Sequence, residues 1–89
     1  MRAVVTVTGK DRVGIIAAIS GECSRYGVNI EDISQSVMQE YFAMIMLAEL
    51  DGMTMDFTQF VAHMEETGRQ KGLDVRVMHE DVFNAMHRI

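Results

Sequence analysis

Eight consecutive apolar residues, Tyr41-Phe42-Ala43-Met44-Ile45-Met46-Leu47-Ala48, constrain this chain more than any other feature. The run is far short of the ~20 residues needed to span a bilayer. Apolar residues occupy both faces of an extended segment here, so the run reads as a central strand. Phe42, Met44 and Met46 share one face, and Ala43, Ile45 and Leu47 share the other. Only one face can meet a layer of helices. The other calls for an amphipathic tail, a partner subunit, or both.

The remaining segments supply what that strand needs. Ala3-Val4-Val5-Thr6-Val7-Thr8 is β-branched and dense, the pattern of a buried strand. Gly9 to Arg12 form a polar turn. From Val13 to Tyr26 the apolar residues fall at 15, 16, 19, 23 and 26, a helical stripe, with Asp11 as its expected N-cap and Gly27 as its left-handed stop. A second strand runs from about Val28 to Met38. Its apolar positions change parity between Ile30 and Ile33, which predicts a bulge near Glu31-Asp32. Gln39-Glu40 turn into the central strand, and Asp51-Gly52 close it.

A second helix is expected over Met55 to Lys71, ended by Gly72. Asp56 with Gln59 forms a capping box at its start, and Thr54 is a competing start. Leu73, Val75 and Val77 alternate with Asp74 and Arg76 to give a fourth strand. The tail from Glu80 to Ile89 places Val82, Phe83, Met86 and Ile89 at helical spacing, so a short amphipathic helix is expected. The order β-α-β-β-α-β is the split βαβ plan of an α+β, ferredoxin-like sandwich. Right-handed crossovers leave a gap between the first two strands that the third fills, for an antiparallel sheet order of 4-1-3-2. The second strand is then an open edge that invites pairing with another chain.

Composition narrows the partners. Eighty-nine residues make one domain (79–89 being its tail), and the net charge of −5 repels phosphate backbones and anionic membranes. Cys23 is the single cysteine, so no internal disulfide forms, and no cationic-then-apolar segment opens the chain. A cytoplasmic protein is expected, without membrane or nucleic-acid contacts.

The stretch Gly9-Lys10-Asp11-Arg12-Val13-Gly14 has the glycine spacing of a Walker A loop but continues Ile15-Ile16 where that motif needs Lys and Ser/Thr, so the nucleotide reading fails. What remains is a strand-turn-helix junction whose first N–H groups face outward, suited to a carboxylate or phosphate. Asp11, as an N-cap, would occupy one of those groups itself. A tight turn without a ligand is the plainer alternative.

At these residues the chain resembles a known family. Asp11-Arg12-Val13-Gly14-Ile15-Ile16 is similar to the Asp-Arg-x-Gly-aliphatic signature of ACT domains, and Asn29-Ile30-Glu31-Asp32-Ile33 is similar to their second-strand segment. The resemblance covers the whole chain, and the tail from His79 resembles small stand-alone bacterial and archaeal ACT proteins. It implies a regulatory homodimer with sheets joined side by side through the edge strand. A small ligand, commonly an amino acid, would sit between the first turn of one subunit and the second strand of the other. On this sequence the turn contributes Asp11, Arg12, Val13, Gly14 and Ile15. The facing strand contributes Asn29, Ile30, and Glu31 or Asp32. The helix N–H groups and Arg12 suit a carboxylate, and Asn29 with an acidic neighbour suits an ammonium. The chain lacks the attached catalytic domain of the family's larger enzymes, so it would regulate through a partner protein.

Rival readings stand beside this one. Asn29 follows Gly27 closely enough to be a turn-former, and Glu31 and Asp32 suit solvated edge charges. Cys23 lies on the buried stripe, and no basic or histidine neighbour stands three or four positions from it on its helix to activate it. His63, His79 and His87 match no ligand spacing, so no metal or other cofactor is expected. No nucleophile pairs with a base at recognisable spacing, so no enzyme activity is expected. RNA recognition modules share the element order, but Tyr41 to Met46 lacks their basic residue and glycine. The serious alternative is an assembly subunit that binds another protein and has no functional ligand site.

Overall fold

The structure, a computed structural model, describes residues 1–87. The β-branched start forms β1 (Arg2–Lys10), in which Ala3, Val4, Val5 and Val7 are all buried. Burial on both faces puts β1 inside the sheet. β2 (Asn29–Met38), β3 (Tyr41–Glu49) and β4 (Asp74–His79) complete an antiparallel sheet in the order β2-β3-β1-β4. This is the expected 4-1-3-2 order, read from the other edge. β1 pairs with β3 from Arg2 opposite Glu49 to Lys10 opposite Tyr41, and with β4 on its other side.

The parity change in β2 is a bulge. Ile30 pairs with Ala48 and Asp32 with Leu47, so Glu31 is the extra residue. One inserted residue lets Ile30 and Ile33 share a face despite their odd spacing. The two-residue connection Gln39-Glu40 puts Gln39 in the left-handed region at φ 55.

α1 (Ile15–Arg25) begins later than the sequence pattern suggests, and its N-cap is Gly14 rather than Asp11. Asp11 instead extends the sheet, its backbone N–H donating to the Glu40 carbonyl at 2.7 Å. The chain then needs residues 12–14 to turn off the sheet, and Gly14 enters the helix with φ 89. Gly27 stops α1 at φ 75, as expected. α2 (Phe57–Gln70) starts at Asp56, whose N–H donates to Gln59 Oε1 at 3.4 Å in a capping box, which decides against Thr54. Gly72 follows it at φ 71. A Cβ on Gly68 would lie 2.5 Å from Val75 Cγ2, so the β4 side chain packs directly on the α2 backbone.

Both helices cover one face of the sheet. Ile19 and Cys23 of α1 and Phe60 and Met64 of α2 close over Val5, Val7, Met44 and Met46 in one continuous core. α3 (Glu80–Met86) lies on the opposite face, capped by His79, whose Nδ1 accepts the Asp81 N–H at 3.1 Å. Arg88 and Ile89, the end of the expected tail helix, lie outside the described residues. Among the described residues no helix is long and apolar enough to cross a membrane.

Burial pushes the Cys23 thiol up from 9.0 to about 11, and the neighbouring Glu22 adds to the shift. Below pH 9 folded and unfolded chains both keep the proton. Between the two values the unfolded chain ionises first, so stability falls as pH rises, by on the order of 2 kcal/mol. Native protein is expected to resist a thiol reagent that labels it fully in urea. Fast labelling of the folded chain would place Cys23 outside the core.

Candidate ligand-binding site

The topology brings three pieces of chain together at one end of the sheet. β1 ends there, α1 begins there, and the β2–β3 hairpin turns there. Between them lies an open cavity of about 400 Å³, lined by Asp11, Arg12, Gly14 and Ile15 on one side and by Gln35, Ser36 and Val37 on the other. Phe42 forms part of its wall.

The start of α1 dominates its electrostatics. No side chain caps the first turn, and no acidic residue stands in it. Its first N–H groups therefore keep their partial positive charge for an outside acceptor. The Asp11 carboxylate, expected to occupy one of them, does not cap the helix. Ala18 donates to the Gly14 carbonyl at 2.9 Å, so the helical ladder begins at the glycine itself. A Cβ added to Gly14 would meet nothing within 4 Å, so the space in front of the helix is open.

The turn residues divide by role. Asp11 and Arg12 are exposed at the cavity mouth, and Ile15 is buried beneath it. Arg12 is partly engaged, since its Nη1 donates to the Lys71 carbonyl at 2.6 Å and so ties the turn to the end of α2. The other guanidinium donors remain for a ligand. Val13 is not part of the cavity and is fully exposed.

Within one chain, Asn29, Ile30, Glu31 and Asp32 do not meet these turn residues. Asn29 pairs with Glu49 at one end of β3, whereas Val37 pairs with Phe42 near the other. At about 3.3 Å per residue, that separation along the strand is about 25 Å. Asn29 and Ile30 line a different, shallower groove beside Ser20, Gly21 and Ser24 of α1. Glu31 reaches Arg2 at 3.6 Å, and Asp32 Oδ1 accepts the N–H of Ile33 at 2.9 Å.

Gln35, Ser36, Val37 and Phe42, with Ala17 of α1, are the lining residues that motif reading missed. A signal for them did exist. In the expected strand order the β2–β3 hairpin returns to the end of β1, so the last residues of β2 must flank the first turn.

Comparison with known proteins agrees with this architecture. The model of the ACT domain family matches residues 2–78. A UPF0237 protein of Methanosarcina acetivorans is 50% identical over 88 residues, covering 99% of this chain and 96% of its own length. One from Clostridium perfringens is 47% identical over 89 residues, covering the whole of both chains. Among solved structures, an ACT domain protein from Streptococcus pneumoniae superposes with a TM-score of 0.82 at 38% identity, covering 98% of each chain. From its first strand to its last, this chain belongs to the ACT domain family.

Proposed function

We propose that this chain is a non-catalytic regulatory module of the cytoplasm. It works as a homodimer and holds a small zwitterion, an α-amino acid, between the first turn of one copy and β2 of the other. The observation that carries this reading is the uncapped start of α1, opening on a cavity whose volume lies at the lower end of the range for small-ligand sites. A carboxylate placed there meets free helix N–H groups, with Arg12 beside them.

The second support is the edge strand. Every residue from Glu31 to Met38 is exposed, and this long edge carries the apolar side chains of Ile33 and Val37. Two such edges pair antiparallel about a two-fold axis through the middle of β2. That operation sets the partner's Asn29 beside Gln35 to Met38, next to the first turn. Residues about 25 Å apart in one chain then become neighbours across the interface. The partner's Asn29 oxygen, with the partner's Glu31 or the partner's Asp32, accepts from the ligand ammonium. No metal or cofactor has a part in this scheme.

Thermal-shift screening against the twenty amino acids, with light scattering for mass, tests the reading. A ligand present at 100 times its Kd should stabilise the dimer by about 2.7 kcal/mol. In a domain of this size that is a rise in Tm of roughly 10–20 °C. Gly14→Ala should cost about 1–2 kcal/mol through its left-handed backbone and should remove the ligand-dependent rise. A rise that survives the substitution would place the site elsewhere, and no rise with any amino acid would reject the zwitterion.

A second reading rests on the mouth of the cavity. Val13, Val37 and Met38 are exposed apolar side chains around it, and such a rim suits a protein partner. An assembly subunit of this kind would be a dimer indifferent to all twenty amino acids.

A further inference from the structure

The sheet face away from α1 and α2 is only half covered. α3 lies over its β1–β4 half, against Val4, Arg76 and Met78. Over the β2–β3 half, none of the described elements covers a hollow of about 320 Å³. Its floor is built from the short side chains of Thr6, Thr8, Ser34, Ser36 and Ala43, with Ile45 46% exposed among them. Beside it stands α3, a ridge whose Val82 and Met86 are 50% and 64% exposed.

Ridge and hollow occupy opposite halves of one face. A two-fold axis along the midline of the sheet, between β3 and β1, exchanges those halves. The α3 ridge of one copy then stands over the hollow of the other, and the reverse contact forms at the same time, as an isologous interface requires. We infer that this face binds a second copy of the chain, with the α3 of each copy seated in the β2–β3 hollow of its partner. This interface is separate from the β2 edge and makes larger assemblies from edge-paired dimers.

Charge and area both favour a second copy. A chain of net charge −5 repels its twin except through a neutral patch. The hollow holds no ionisable side chain, and Val82 and Met86 bring none to it. Of the charged groups bordering the face, two arginines are paired within the chain, and Lys10 and Asp32 stand exposed at its ends. Arg2 joins Glu31 at 3.6 Å and Glu80 at 2.5 Å, and Arg76 joins Asp74 at 3.3 Å. Docking centred on the hollow therefore leaves these charges paired or at its solvated margin. Four strands about 4.8 Å apart and nine residues of about 3.3 Å each give a footprint of about 550 Å² per copy. The two-sided total of about 1,100 Å² just exceeds the ~1,000 Å² that a specific interface needs.

The test is the solution mass by sedimentation equilibrium at tens of micromolar. Ile45→Arg charges the hollow and Met86→Arg charges the ridge. Both side chains are exposed, so both variants should keep the wild-type circular dichroism spectrum and Tm at low concentration. Each is expected to lose at least half of the wild-type mass. A fall of that size is expected whether or not the β2 edge is paired, so it is separable from the ligand-site reading. Equal mass for wild type and both variants would overturn the inference, whether the face is then bare or given to a different protein.

Discussion

Gly27→Ala is expected to lower the unfolding free energy by about 2–5 kcal/mol, the sum of a left-handed backbone penalty and a steric one. The residue sits at φ 75, which an alanine adopts only at a cost. The larger contribution comes from its neighbour. An added Cβ would lie only 2.3 Å from the Gly52 carbonyl oxygen, and backbone cannot swing aside as a side chain does. The turn after α1 and the turn after β3 clasp each other here, since Thr54 N–H donates to the Tyr26 carbonyl at 2.9 Å. Making room for the methyl group means prising the two turns apart. Urea titration of Gly27→Ala beside Gly14→Ala separates the contributions, because Gly14 shares the positive φ but faces open space. Equal losses in the two variants would show that the two turns give way to the methyl group at no cost.

Phe60→Ala is the other large effect. Phe60 is fully buried on α2, within the cluster that joins both helices to the sheet. Removing a buried phenyl ring forfeits its transfer free energy and leaves a cavity, about 3–5 kcal/mol together. A domain of this size loses roughly 4–8 °C of Tm per kcal/mol, so a fall of roughly 15–30 °C is expected. With total stabilities near 5–15 kcal/mol being usual, this variant stands close to unfolding at room temperature. Three unbranched methionines, Met44, Met46 and Met64, also lie fully inside this core and could shift toward the void. A loss under about 1.5 kcal/mol in calorimetry would mean that they refill it almost completely.

The fold was legible because its signals were local and agreed with one another. The apolar run at 41–48 placed β3 in the sheet interior, and the parity change between Ile30 and Ile33 located the bulge within one residue. Gly27 and Gly72 marked helix ends correctly, and Asp56 with Gln59 marked a helix start. Asp11 misled because a capping side chain and a strand-extending residue look alike in sequence. Which role wins depends on whether a carbonyl lies opposite, and Glu40, 29 residues further on, supplies it. The far wall of the cavity was hidden for the same reason. Gln35 to Val37 carry no motif, and only the pairing of β2 with β3 brings them to the first turn. Asn29 to Asp32 were legible as a family segment, but their place relative to that turn is a property of two chains.

The bulge at Glu31 has a consequence for how the edge strand tolerates changes of length. A strand of strict alternation turns inside out beyond any gained or lost residue, because each position downstream swaps sides. β2 already carries one supernumerary residue that meets no opposite number. Excising position 31 would leave Asp32 to Met38 facing as they do now, with the zigzag made regular. The same excision at Ser34 would have to be absorbed by ironing out the kink three residues upstream. The strand thus holds a single link of slack, and relatives one residue shorter in this segment can keep the same inward and outward sides.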